Sequence, residues 1–242
     1  MDSTATKEVV KKSVDLVKSA ITKSCKPSKY ILIGGSVGPY GACQHDGSEY
    51  NGDYIRNGTV TKEDLLAWHR PRIEALLEAG VDFLALETQP TWQEVIAILD
   101  LVQATDPVVP VWITFTVKDQ NHIASGDYIK DAVGHVISHP LYGKGRIFAL
   151  GVNCSPIRVI TGALDAIRSV NRTLPLVVYP NSGEEWDGVA RCWRGDVEEW
   201  GDHVGEWLKR GVLIYGGCCR VDSKQLSDLR VCVGNALLKQ LR

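Results

Sequence analysis

Val212-Leu213-Ile214-Tyr215-Gly216-Gly217-Cys218-Cys219-Arg220 reads as an apolar strand running straight into two adjacent cysteines, with a helix start at Asp222 just beyond. Strands that end in reactive side chains and turn at once into helices are the repeating junctions of parallel α/β sheets, where such folds keep their chemistry. A second junction of this kind lies upstream, where Ile147-Phe148-Ala149-Leu150 leads into Gly151-Val152-Asn153-Cys154-Ser155-Pro156. Cys154, Cys218 and Cys219 can thus converge on one face of the sheet, and three thiolates there make a zinc site with one position left open. The long separation of Cys154 from Cys218 excludes a local zinc knuckle. Two other readings stand beside this one. The cysteines can be small buried hydrophobes, as most free cysteines are. Cys218-Cys219 can also be a redox pair, which the strain of a vicinal disulfide disfavours.

Outward from these junctions the chain alternates. Apolar runs predict strands at 30–33, 81–86, 111–116, 147–152, 175–179 and from 212 toward Cys218. Helical spacing precedes and separates them. Val10, Val14, Val17 and Ile21 form one stripe, ended by Pro27. Leu65, Leu66, Ile73, Leu76 and Leu77 form another, opened by the capping box Thr61-Lys62-Glu63-Asp64, interrupted or kinked at Pro71 and stopped by Gly80. Thr91-Trp92-Gln93-Glu94 predicts a second capping box, and a short helix follows over 128–137. Ser155-Pro156 supplies an N-cap and a first-turn proline for the next helix. Val197, Trp200, Val204 and Leu208 share a helical face, and Asp222 caps a last helix with Leu226, Leu229, Val233 and Leu237 inward. The polar, glycine- and tyrosine-rich stretch to Val60 is too long for a connector and predicts a lid over the strand ends. The order is helix, then strand–helix six times: an α/β fold with a parallel sheet, two strands short of a (β/α)8 barrel.

Composition narrows the function. The 242 residues are 44% hydrophobic and 23% charged, with a net charge of -2, so neither a nucleic-acid partner nor a disordered tail is indicated. The N-terminus lacks a signal-peptide core, and no apolar run reaches the length of a membrane span. Seven cysteines is an odd count for a disulfide framework and fits a reducing compartment, the cytoplasm. Without a repeat, a low-complexity tract or a linker, residues 1–242 read as one domain.

Other polar residues also sit at strand ends: Ser36, Glu87 and Asn181. A carboxylate closing an apolar strand, as Glu87 does, is either a desolvated functional group or an acid favoured by the next helix's dipole. Trp186, Trp193, Trp200 and Trp207 recur every seven residues, which predicts packing rather than a ligand platform, although glycines weaken the first half as helix. Gly34-Gly35-Ser36-Val37-Gly38 is a weak phosphate-loop lookalike without the lysine that loop needs. Cys25, Cys43, Cys192 and Cys232 follow no partner pattern.

Taken together, these motifs resemble the homocysteine S-methyltransferase family, especially its S-methylmethionine-using branch. The resemblance covers nearly the whole chain and rests on Gly35-Ser36-Val37-Gly38-Pro39-Tyr40-Gly41, His69-Arg70-Pro71-Arg72, Leu86-Glu87-Thr88, Gly151-Val152-Asn153-Cys154, Tyr179-Pro180-Asn181-Ser182-Gly183 and Gly216-Gly217-Cys218-Cys219-Arg220. It implies a TIM-barrel-type fold binding Zn2+ through Cys154, Cys218 and Cys219. It also implies a Glu87 carboxylate that holds the homocysteine amino group, with Ser36 in the same pocket and Asn181 toward the methyl donor. The implied reaction passes a methyl group from a sulfonium, S-methylmethionine or S-adenosylmethionine, to the homocysteine thiolate and yields methionine. Family members carry two further βα units, including an Asp-Gly motif on the first strand, ahead of the point matched by Met1. The chain therefore reads as an N-terminally incomplete homocysteine-binding domain. Three outcomes are open: the gap is closed by dimerisation or strand exchange, the protein persists as an open, partly active form, or it is a truncated product that folds poorly. The alternative function is a catalytically impaired zinc-binding remnant.

Overall fold

Five of the six expected apolar runs pair side by side, all parallel, and the sheet's first strand lies just after the sixth. In the computed structural model, which describes residues 3–24, 31–105, 109–187, 190 and 192–240, a helix α1 (Ser3–Lys23) precedes the sheet. The sheet strands are β1 (Gly34–Val37), β2 (Phe83–Gln89), β3 (Val111–Phe115), β4 (Ile147–Asn153), β5 (Leu176–Tyr179) and β8 (Val212–Tyr215), paired in that order. Between them lie α2 (Asp53–Arg56), α3 (Lys62–Glu78), α4 (Trp92–Gln103), α5 (Ile129–Ser138), α6 (Pro140–Gly143), α7 (Ile157–Val170) and α8 (Gly201–Lys209), and α9 (Ser223–Gln240) follows β8. A two-stranded antiparallel ribbon, β6 (Glu185–Asp187) with β7 (Cys192–Arg194), is inserted after β5. The fold class is the expected one: α/β, parallel βα repeats of TIM-barrel type, six strands in the sheet.

The inner strands β2–β5 are largely buried on both faces, which is why they are apolar runs rather than alternating, whereas the edge strand β1 alternates exposed and buried residues. Val111, Ile113 and Phe115 of β3 join the large core under the helices, while Trp112 packs on the opposite face with Phe83, Phe148 and Tyr179. Gly151 lies where β4 and β5 approach most closely. A Cβ there would fall 1.7 Å from the Val177 carbonyl oxygen, so no other residue fits without moving the strands. Among the described residues β1 and β8 each pair on one side only, and Leu213 of β8 is 66% exposed.

Several local expectations need correction. The first strand is not 30–33 but β1, formed by the residues that read as a breaker and as a phosphate-loop lookalike. Gly34 pairs with Phe83, whose ring would lie 2.6 Å from any Cβ there, so a larger residue would have to displace that ring. Leu32 is 69% exposed, and Tyr30, like Cys25 and Pro27, lies outside the described residues. Helix α3 has its Thr61–Asp64 capping box and runs through Pro71 unbroken; Arg72 Nη1 donates to the Trp68 carbonyl beside the proline. Ser155 does not cap α7, since its hydroxyl donates to the Asn153 carbonyl and accepts from the Val117 N–H; Pro156 takes the N-cap position without a side-chain bond. Trp186 and Trp193 are register partners in the β6–β7 ribbon, and only Trp200 and Trp207 belong to the α8 region, in edge-on contact. Val197 stands exposed ahead of that helix. Asp222 and Gln225 make a reciprocal capping box at the start of α9. Of the expected inward face, Leu229 is buried but Leu226 and Leu237 are 42% and 46% exposed.

One half-buried cation ties the strand-entry loops together. Arg168 donates to the carbonyls of Arg210 (2.5 Å), Leu174 (2.7 Å), Gly211 (3.2 Å) and Asn171 (3.3 Å). Lysine cannot reproduce that fork. Arg168→Lys is expected to cost about 2 kcal/mol and to lower the melting temperature by roughly 4–8 °C, read by calorimetry.

Candidate metal centre and active site

The C-terminal ends of β4, β5 and β8 are laced together by backbone hydrogen bonds. Cys154 N–H donates to the Tyr179 carbonyl, Asn181 N–H to Ser155, Cys218 N–H to Pro180 and Ser182 N–H to Cys219, all between 2.8 and 3.2 Å. The loops carrying the cysteines are therefore held by strands rather than free to drift. Thr88, Cys154 and Arg220 all adopt positive φ (59°, 51° and 66°). Left-handed backbone is uncommon outside glycine and gathers where a side chain must be aimed. Here it falls on the penultimate residue of β2, on the residue just after β4 and on the residue just after the Cys218-Cys219 pair.

These constraints bring the three predicted cysteines together. Their sulfurs all lie within 4.8 Å of one another, with Cys154 Sγ 3.5 Å from Cys219 Sγ. Two zinc–sulfur bonds of about 2.3 Å at the tetrahedral angle set sulfurs roughly 3.8 Å apart, so the donor set and its spacing fit that ion. Cys154 is buried and its two partners are half-buried, leaving one side open to a ligand. The protons are unevenly shared. Hydrogen bonds to Cys218 and Cys219 push the Cys154 thiol well above its usual range, while hydrogen bonds from Cys154 and Cys218 pull Cys219 down to about 3. The three thiols thus interact strongly through their protons, which a bound metal ion would displace. The remaining described cysteines stand apart: Cys43 and Cys192 are exposed, Cys232 half-buried, and all six described are free.

Glu87, on β2, is brought to Ser36 of β1, whose hydroxyl donates to Oε1 at 2.5 Å, while Tyr179 Oη donates to Oε2 at 3.0 Å. Burial, then the Glu87 charge, raises the Tyr179 phenol above its usual range, so it stays protonated and donates. Glu87 forms no ion pair with lysine or arginine among the described residues, so its charge is available to an ammonium group. Asn153 links this carboxylate to the thiol centre. It accepts from the Thr88 N–H (2.7 Å), donates to the Thr88 hydroxyl (2.8 Å) and directly precedes Cys154.

Asn181 shares a cavity of about 380 Å³ with Cys154, Tyr50, Lys118, Arg158 and Trp193, and its Oδ1 is buried without a hydrogen-bond partner. Trp193 therefore faces a cavity, against the expectation that the tryptophans only pack. Sequence reasoning missed Tyr50, Thr88, Asn153 and Tyr179. Thr88, Asn153 and Tyr179 lay in the motifs that carry the resemblance but were given no role, and Tyr50 lay in the stretch expected to act as a lid; its hydroxyl reaches Cys154 Sγ at 3.4 Å.

Comparison with known proteins agrees with this geometry. The model of the homocysteine S-methyltransferase family matches residues 1–233. The Homocysteine S-methyltransferase of Escherichia coli (strain K12) is 37% identical over 236 residues, 95% of this chain and 73% of its own length. The Betaine-homocysteine S-methyltransferase of Drosophila melanogaster is 38% identical over 242 residues, covering 96% and 72%. The metallated crystal form of the Escherichia coli homocysteine methyltransferase MmuM superposes with a TM-score of 0.78 at 35% identity, over 96% of this chain and 72% of that one.

Proposed function

The chain belongs to the homocysteine S-methyltransferase family, and from that premise we propose a zinc-dependent methyl transfer from a sulfonium donor to homocysteine, giving methionine. The observation that carries the proposal is the convergence of Cys154, Cys218 and Cys219 beside an open cavity. Zinc bound by three thiolates would keep an incoming thiol deprotonated and nucleophilic at neutral pH. In this reading the chain's own residues do the placing. Glu87, fixed by Ser36 and Tyr179, takes the substrate ammonium and aims its thiol toward the cysteines. Asn181, with its unpartnered Oδ1, lies on the donor side. The substrate sulfur forms the new S–CH3 bond while the donor's S–CH3 bond breaks, its electron pair returning to the sulfonium sulfur. The donor leaves as a neutral thioether, so no general acid is needed. The free thiols require a reducing compartment, which supports a cytoplasmic location. No helix among the described residues is long and apolar enough to cross a membrane.

A second reading, a metal-binding form with impaired turnover, is favoured by the one-sided pairing of β1 and β8. Elemental analysis of reduced protein on a size-exclusion peak, followed by a methionine assay, separates the two. The expected result is about one zinc per chain with turnover on S-methylmethionine or S-adenosylmethionine. Zinc without turnover selects the second reading, and reduced, soluble protein without zinc overturns both. Betaine belongs in the same assay, because a relative named for betaine is about as identical to this chain as one whose name carries no donor.

A further inference from the structure

Glu94 is completely buried at the third position of α4, and it does not do what its place in the sequence predicts. Thr91 accepts from the Glu94 N–H, as a capping box requires, but the carboxylate does not reach back to the helix start. It turns instead to the segment between β1 and α3. Oε1 accepts from the Tyr40 N–H at 2.6 Å and faces His69 Nε2 at 2.7 Å, and Oε2 accepts from the Tyr54 hydroxyl. Tyr40 and Tyr54 bracket the stretch that carries Tyr50. One carboxylate therefore holds both ends of that stretch.

Burying a carboxylate is costly unless its oxygens are satisfied by donors. The segment supplies two of the three donors, and the N-terminus of α4 adds its dipole. Closure of the segment and burial of Glu94 thus depend on each other. The rings also pack, Tyr40 tilted against Tyr54 at 5.5 Å and edge-on to Trp68 at 5.3 Å, and Ser48 Oγ donates to the Gly41 carbonyl, making the stretch compact. From this base Tyr50 reaches across to Cys154. Its ring is 40% exposed, yet its hydroxyl end is desolvated against the sulfurs, which pushes the phenol well up.

We propose that Glu94, with His69 and Tyr54, is a positioning set that latches residues 40–54 so that Tyr50 covers Cys154 and limits access to the thiol centre. The value of such a latch for methyl transfer rests on the function proposed above; the latch itself does not. Its test therefore uses metal-free, reduced full chain. Alkylation of each cysteine by iodoacetamide is followed by peptide mass spectrometry in Glu94→Gln, Tyr50→Ala and the double variant. Glu94→Gln is expected to speed Cys154 alkylation about tenfold, the equivalent of one lost hydrogen bond to a charged group. Tyr50→Ala should do the same, and the double variant should go no faster than Tyr50→Ala alone. Cys232, on α9, reports global loosening and should not change.

Additive effects of the two substitutions would overturn the latch, as would an unchanged Cys154 rate in Glu94→Gln or a parallel rise at Cys232. Where Glu94→Gln does not fold, Tyr54→Phe removes one donor only and takes its place under the same criteria. Methyl transfer measured on the zinc-loaded variants separates the two ideas: its absence in every form, the unsubstituted chain included, counts against the function and leaves the alkylation result standing.

Discussion

Cys218→Ser is expected to leave the purified chain without metal and without detectable methyl transfer. Three-thiolate zinc sites draw their affinity from ligands that give up their protons, and a serine hydroxyl does so far less readily than a thiol near 8.5. Binding free energies of about 10–16 kcal/mol in structural zinc sites show how much rests on the ligand set. The fold itself should survive. Cys218 is half-buried in a loop held by backbone bonds to Pro180, and its side chain is not part of the main core. Elemental analysis with circular dichroism on the same sample checks both halves. Stoichiometric zinc or retained turnover in a folded Cys218→Ser protein would refute the assignment. Cys154→Ser should lose metal equally but cost more stability, because Cys154 is 6% exposed and held at a φ of 51°.

That the cysteines belong together was readable from their place after apolar strands, because strand-end positions in a parallel sheet converge whatever their separation in sequence. The same logic gave Glu87 and Ser36, which meet across β1 and β2. Illegible was everything set by which neighbour a side chain chooses. Glu94 has the spacing of a capping box, and its local pattern is satisfied at Thr91, but buried tertiary donors outcompete the exposed helix start for its carboxylate. Ser155 likewise has the sequence of an N-cap and is taken by Asn153 and Val117. Gly34 and Gly35 read as a phosphate-loop lookalike because propensity describes glycine in isolation; in the fold they are strand residues crowded by the Phe83 ring and by the Leu84 and Leu76 side chains. Trp186 and Trp193 keep a seven-residue spacing that a ribbon accommodates as well as a helix does. Periodicity and strand order are local or topological and survive folding; partner choice is a competition that only the assembled core decides.

Glu87→Gln is the sharper test of substrate placement, because it should leave the metal untouched. Glutamine keeps the shape of the side chain. Its carbonyl can accept from one hydroxyl while its amide donates to the other, and both the Ser36 and Tyr179 hydroxyls are able to reorient. The cost to stability is therefore expected within about 1 kcal/mol. What disappears is the charge. An ammonium group facing a carboxylate fixed by two hydroxyls gains a charge-assisted bond, and removing one partner of a desolvated pair costs about 2–5 kcal/mol. Homocysteine affinity should accordingly fall by roughly 10²-fold or more, with zinc content and the KM for the methyl donor unchanged. Because KM equals a dissociation constant only when chemistry is slow, binding is measured directly by calorimetry alongside the kinetics. A fall in kcat with homocysteine affinity intact would move Glu87 from placing the substrate to acting on the transfer itself. No change in either would remove it from the site, and leave the Ser36–Glu87–Tyr179 chain as a brace between β1, β2 and β5.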